Sequence, residues 1–354
     1  MTDTRALTRN TIAICALNFC FTAFQAVCQS IVPLMMNDLN FDKTTIGLIQ
    51  AVPGLIAVLL APLVARLATG RWRRETLSGA FLLTMLACVL YSRASRPSGL
   101  IAPQLLFGIA SSAFWSNMLA TSFQLIQGPY QTRLQGWLTA AQGVGAFGGP
   151  LLGGALSGLS FAYAFYLAAG IAGLGLLVTR LLDPSRAIEP YLGLWRTVGG
   201  AYARQVRVMT GRPIVMIGMA FVAMNCFLSY VMGGSFFVLY GKQIGLSTLV
   251  AAALISGRDA ASALARLQFG RLSRRIPLIA LLGAGTALGA LSLGLLPLAT
   301  GALGVGLVGL AQGLLLAFMP PTVNTLIGST AAPEEQSFAI TSMHVSNLAA
   351  QTTM

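Results

Sequence analysis

The chain has 354 residues, of which 56% are hydrophobic and only 9% charged, whereas soluble domains carry roughly 25% charged residues. That composition excludes a soluble globular protein. A net charge of +13 would suit a nucleic-acid binder, but the basic residues sit in short loops between apolar segments, a distribution that sets membrane topology, so no nucleic-acid partner is expected.

A membrane-crossing helix needs about 20 mostly apolar residues. Ten complete candidates follow one another near 11–36, 45–68, 75–92, 99–127, 134–158, 160–182, 213–240, 247–269, 276–298 and 301–328, and an eleventh opens near 337. The first is too long for a signal-peptide core and lacks an A-x-A-like end. Gln25-Ala26-Val27 before Cys28 is also a poor lipoprotein site. The five cysteines all lie in apolar segments without metal or disulfide spacing, so they read as core residues.

Arginines set the orientation. Arg5, Arg9, Arg71, Arg73, Arg74, Arg133, Arg186, Arg196, Arg204, Arg207, Arg212, Arg271, Arg274 and Arg275 fall on one side, against Lys43, Arg93, Arg96 and Lys242 on the other. The positive-inside rule places the N-terminus in the cytoplasm of a multi-pass protein, with a bacterial inner membrane as the expected location. The one long polar stretch, 183–212, separates an N-terminal six-helix bundle (1–182) from a second set (213–354). Within it, Tyr191–Val208 reads either as a surface amphipathic helix or, given Gly193, Gly199 and Gly200, as a tether. The halves look like repeats. Ala61–Leu67 after helix two corresponds to Gly270–Ile276 after helix eight at an offset of 209, and Phe107-Gly108 to Gln312-Gly313. Turns with Pro129 and Pro333 follow helices four and ten, and Gln50 takes the place in helix two that Asp259 takes in helix eight.

Helix five carries Gly136, then Gly145, Gly149-Pro150 and Gly153-Gly154. Gly145, Gly149 and Gly153 recur every four residues and form one smooth face, which lets a neighbouring backbone come close. Pro150 is expected to bend or break the helix. The pattern resembles the antiporter motif in the fifth helix of the major facilitator superfamily. The resemblance implies an all-α membrane protein of two pseudo-symmetric six-helix bundles. Gly270, Leu272 and Arg275 resemble the family's loop motif G-x-L-x-D-R-x-G-R, with Arg274 at the aspartate position and Pro277 at the second glycine. In the first half Leu63 and Arg66 match, while Ala61 and Ala65 replace the glycine and the aspartate. Glu75, the nearest acid, is placed to pair with Arg71. In helix four, Gln104 stands where a second family pattern has an arginine linked to proton transfer, a departure from the usual coupling.

Ionisable residues deep in a bilayer are costly and usually functional. Arg258-Asp259 in helix eight is such a place, and Asp259 is the candidate proton or cation site, with a structural charge neutralised by Arg258 or Arg266 as the alternative; neighbours on a helix point about 100° apart, so Arg258 and Asp259 need not pair with each other. His344 is a further coupling candidate, with an interfacial structural role as its alternative. The resemblance implies that helices one, four, seven and ten surround the substrate, which makes Asn18, Thr22, Gln25, Gln104, Trp115, Ser116, Asn117, Asn225, Ser229 and Tyr230 cavity candidates. No P-loop and no metal-binding spacing occurs, so neither ATP use nor a cofactor is expected, and nothing points to an enzyme.

The family expectation is a secondary transporter that moves a small-molecule substrate by alternating access. It is expected to act as a monomer in the lipid bilayer, with drug-like or metabolite export by proton or cation antiport. Uptake of a small polar solute and a non-transporting truncated membrane protein are the alternatives. Phe338–Met354 supplies only about 25 Å of helix at 1.5 Å per residue, so the second bundle is expected to be truncated in helix eleven.

Overall fold

The computed structural model describes residues 4–69, 72–126, 130–183, 194–233, 244–246 and 248–352. The first half is six helices. They are α1 (Thr4–Asp38), α2 (Lys43–Thr69), α3 (Arg73–Tyr91), α4 (Pro97–Leu125), α5 (Tyr130–Ser157) and α6 (Phe161–Val178). At 1.5 Å per residue α1 is about 50 Å long, more than the hydrocarbon core requires. Asn40 closes it with a positive φ of 59°, a conformation that asparagine tolerates better than most residues. Asp42 then caps α2, accepting from the Thr45 amide at 2.9 Å. Pro97 begins α4 at a position where its missing N–H costs nothing. Ser160 caps α6 by accepting from the Ala162 amide.

α1 packs on α5 and α6, α4 on α2 and α3, and α3 on α6. Their shared core is aromatic: Phe21 stacks flat on Phe114 with ring centres 3.9 Å apart, and Phe24, Phe81 and Trp115 meet these rings edge-on. Cys20, Cys28 and Cys88 are buried free thiols, as the spacing led us to expect. Six crossings return the chain to its starting side. There Arg9 pairs with Asp183, while Asn10 and Asp183 exchange hydrogen bonds of 2.8 and 3.2 Å.

The segment between the halves is a helix from Leu194, α7 (Leu194–Gly211). Ala201, Gln205 and Val208 lie on one buried face, which favours the amphipathic helix over the tether. α7 meets α8 (Pro213–Gly233) at 89° across Arg212; Pro213 takes the first turn of α8 and ends the run of α7. The second half continues with α9 (Thr248–Arg266), the short α10 (Phe269–Leu272), α11 (Leu278–Gly294), α12 (Gly301–Leu316), α13 (Met319–Thr330) and α14 (Pro333–Thr352). Pro333 starts a helix here instead of marking a turn. The expected single helix over 301–328 is broken at residues 317–318. Part of the expected helix over 213–240 lies outside the described residues.

Exposure is inverted relative to a soluble protein. Leu48 and Leu303 are 66% and 78% exposed, whereas Asn18, Asn117 and Ser112 are fully buried. Apolar groups on the outside and polar groups within are what a hydrocarbon solvent selects. Among the described residues seven helical segments are by themselves long and apolar enough to cross a bilayer, or eight with the bent α7–α8 pair. Of the expected spans, those over α5 and α9 are not among these seven or eight, nor is α14. In α5 and α14 glycines, amides and charged residues lower the hydropathy, and α5, α9 and α14 lie between the bundles: α5 packs on α9, and α14 packs on α2 and α4. Helices that face protein need less apolar surface than helices that face lipid.

Candidate functional site

The residues that the sequence singled out divide between the interior of the first bundle and the contact between the two bundles. α5 carries two glycine faces. A Cβ added at Gly145 would lie 2.7 Å from the Phe19 carbonyl oxygen, and one at Gly149 would lie 2.5 Å from the Ala26 methyl and 2.9 Å from the Ala23 oxygen. At Gly153 it would meet Ile31 at 2.9 Å. This face lies on α1, inside the first bundle. Gly136 and Gly143 sit seven residues apart on the opposite side of the helix and lie on the second bundle: their added Cβ atoms would be 2.8 Å from the Arg266 oxygen and 2.8 Å from the Ala263 methyl. Gly154 has open space around it, so it takes no part in either contact. α5 runs through Pro150 as one helix, so of the expected bend or break the break does not occur.

Arg266 ends α9 where these glycines meet it. Its Nη1 donates to the Thr139 carbonyl of α5 at 2.8 Å, and its Nε donates to the Ala317 carbonyl at 3.2 Å. The second contact follows from the sequence around the break in α12–α13. In a continuous helix the Leu316 and Ala317 carbonyls would accept from residues 320 and 321, and both are prolines, which carry no N–H. Arg266 supplies the missing donor to Ala317. Gly143 did not stand out in the sequence, and Arg266 did so only as a possible counter-charge to Asp259; the signal for its contact with Ala317 was in the adjacent prolines, which leave two carbonyls needing a partner.

Deeper in α9, Arg258 and Asp259 do form a pair, at 2.7 and 3.0 Å. The 100° between their backbone positions is bridged because the long arginine side chain folds back along the helix. The same guanidinium donates to the Ser229 carbonyl of α8 at 2.9 Å. Gln312 of α12 donates to the adjacent Leu228 carbonyl at 3.0 Å. α8, α9 and α12 are thus tied together around one ion pair.

Two glycines show the internal repeat directly. A Cβ on Gly108 of α4 would lie 2.7 Å from the Pro53 oxygen of α2, and one on Gly313 of α12 would lie 2.6 Å from the Arg258 oxygen of α9. Both pairs are related by an offset of 205 (313 − 108 and 258 − 53). At that offset Asp259 corresponds to Gly54, not to Gln50. The loop motifs, offset by 209, have slipped by about one helical turn because α2 runs on to Thr69 while α9 stops at Arg266. Leu63 and Arg66 therefore lie within α2 rather than after it. Gly270 lies in α10, where an added Cβ would be 3.3 Å from the Arg133 Cα. Leu272 ends α10, and its carbonyl accepts from the Arg275 amide at 2.9 Å; the Arg275 side chain is exposed. The suggested partner of Glu75, Arg71, lies outside the described residues.

The cavity candidates are only partly brought together. Trp115 of α4 faces His344 of α14 across the seam, with ring centres 6.3 Å apart; His344 sits mid-helix in α14, which packs on α2 and α4 of the first bundle and on α8 of the second. Asn18 and Asn117 are buried and donate to carbonyls of their own helices. Asn18 Oδ1, Thr22 Oγ1, Ser116 Oγ, Asn117 Oδ1, Asn225 Oδ1 and His344 Nε2 have no hydrogen-bond partner among the described residues. Gln104 is buried and donates to Gln50 at 3.4 Å. Gln25 is partly buried, and the side chain of Tyr230 lies outside the described residues. Several shielded polar atoms thus have bonding capacity that the described residues do not use.

Comparison with known proteins agrees with this architecture. Over 98% of the chain superposes on 87% of a structure of the proton:xylose symporter XylE bound to 6-bromo-6-deoxy-D-glucose (TM-score 0.74, 14% identity). The human organic anion transporter MFSD10 (TETRAN) matches with a TM-score of 0.77 at 15% identity, over 99% of this chain and 92% of that one. FucP in its outward conformation matches with a TM-score of 0.71 at 14% identity, over 96% and 88%. No curated protein matches the chain in sequence. The sequence model of the Major Facilitator Superfamily matches residues 14–351. With that match over nearly its whole length, and with two helical bundles joined along a polar seam, the chain belongs to the major facilitator superfamily of membrane transporters.

Proposed function

We propose that the protein exports a small solute across the cell membrane by alternating access, in exchange for a proton or another cation, and that it does so as a monomer with its N-terminus in the cytoplasm. The observation that carries this reading is the double glycine face of α5. Alternating access requires each bundle to move as a unit against the other. Gly145, Gly149 and Gly153 press α5 against α1 and make one body of them, while Gly136 and Gly143 give α9 a smooth surface to move along. The resemblance of the glycine pattern to the antiporter motif supports export.

Asp259 is the coupling group in this reading. Protonating it would weaken its two hydrogen bonds with Arg258 and leave the guanidinium on the Ser229 carbonyl. His344, between the bundles, is the second candidate. The substrate would bond to the unused polar atoms near Asn18, Trp115, Asn117 and Asn225. A second reading, uptake of a small polar solute, draws support from the same buried amides, which suit a hydroxylated ligand.

The test begins with a thermal-shift screen of purified full-length protein against a compound library. The best stabiliser is then followed in proteoliposomes of both orientations, with and without a pH gradient. Accumulation in inside-out vesicles with an acidic lumen is the expected result. Accumulation in right-side-out vesicles would establish uptake, and no flux in either orientation would overturn transport of that solute.

A further inference from the structure

We propose that the cleft where α5 meets the α9–α10 turn is a binding site for a phosphate-bearing anion. Gly270 allows α10 to approach the backbone at Arg133 so closely that an added Cβ would lie 3.3 Å from the Arg133 Cα. That approach brings Arg133 of the first bundle beside Arg271 and Arg274 of the second, where all three line one cavity of about 740 Å³. A neighbouring cavity of about 660 Å³ shares Arg271 and Arg274 and adds Arg275.

The four guanidiniums are exposed, and among the described residues no carboxylate pairs with any of them. Where the family motif would place an acid, this chain has Arg274. Like charges gathered from two separate bundles repel one another, and an anion between them removes that cost. Membrane topology would be equally well set by arginines scattered along the loops, so it does not explain why they converge on one cleft.

The side chains are held ready for a ligand. Arg133 lies over the Trp137 ring, 4.5 Å from its centre. Arg271 Nη1 donates to Gln268 Oε1 at 3.2 Å, and Arg274 Nε donates to the Gly270 carbonyl at 3.1 Å. The Arg133 anchor uses the face of its guanidinium and the other two use one donor nitrogen each, which leaves the remaining N–H groups for a ligand, and planar forks of this kind match phosphate oxygens. Ser273 Oγ, in the same cavity, is buried with no hydrogen-bond partner among the described residues. Tyr130 and Trp137 flank the cleft, which suits a site at headgroup level. The phosphate could come from a lipid headgroup or from a free phosphate compound, and the experiment separates the two.

Full-length protein in neutral detergent is heated with inorganic phosphate, with short-chain phosphatidylglycerol, or with short-chain phosphatidylcholine, all at matched ionic strength. A rise of several degrees in Tm with phosphatidylglycerol and none with phosphatidylcholine is expected. An equal rise with inorganic phosphate identifies a free-phosphate site; a rise with phosphatidylglycerol alone identifies a lipid site. R133Q/R271Q/R274Q should lose at least half of the rise, whereas R93Q/R96Q/R207Q, which removes the same charge elsewhere, should keep it. If the first variant does not fold, R271Q alone should still lose a measurable part. No rise with either probe, or equal losses in the two triple variants, would overturn the proposal.

Discussion

The guanidinium of Arg266 donates to the Ala317 carbonyl, a group that Pro321 leaves without a helical donor, and the same side chain reaches across to the Thr139 carbonyl. One residue therefore joins the broken α12–α13 span to the opposite bundle. Hydrogen bonds to charged groups contribute about 1.5–3 kcal/mol. Arg266→Gln should lower the unfolding free energy by roughly one such bond. In a Pro321→Ala background, where Ala317 regains a helical donor, the same change should cost less, with a coupling of about 0.5–3 kcal/mol. Chemical denaturation of the four proteins measures it, and strictly additive costs would sink the idea.

The glycine faces of α5 make a paired prediction. Gly149→Leu has no room against Ala23 and Ala26 and should abolish transport while leaving membrane insertion intact. Gly154→Ala meets open space and should behave like the parent protein. Flux assays with surface-expression controls distinguish them; normal flux in the Gly149 variant would show that the α1–α5 contact is not needed.

Gly108→Ala and Gly313→Ala should be destabilising to a similar degree, by about 1–3 kcal/mol as for other overpacked sites. Each new methyl meets a backbone carbonyl, at 2.7 and 2.6 Å, and a backbone oxygen yields less readily than a side-chain tip. Thermal unfolding of the two variants checks this. A neutral result at either one would break the proposed equivalence of the α2–α4 and α9–α12 contacts.

Asp259→Asn keeps the shape of the side chain but removes its charge. If Asp259 carries the coupling ion, flux should become independent of the pH gradient while solute binding persists. Gradient-driven flux that survives the substitution would move coupling to His344 or to another mechanism.

The Arg212–Glu335 pair offers a contrast. The atoms are 2.6 Å apart, but the side chains are 47% and 27% exposed, and such pairs contribute up to about 1 kcal/mol. Arg212→Ala should shift stability by no more than that, well below the cost of Arg266→Gln.

Apolar length and the glycine spacing of residues 136–154 were enough to identify the superfamily and the six helices of the first half. These signals are legible because a bilayer imposes one rule along the whole sequence: each span must be long, apolar and internally hydrogen-bonded. Which face of a helix meets which neighbour is a different matter, because it depends on residues far apart in sequence. The antiporter glycines could be seen to form a smooth face, but only the packing assigned that face to α1 and gave α9 the opposite one, at Gly136 and Gly143. Asp259 could be found as a charge in an apolar segment, but its pairing with Arg258 depended on how the arginine side chain folds. Arg266 could be read from the sequence only as a possible counter-charge to Asp259, until the tertiary structure set it beside the carbonyl that Pro321 leaves without a helical donor. Composition along the chain is a local property and could be read from the sequence; hydrogen-bond partners between distant helices are fixed only when the bundles close on each other.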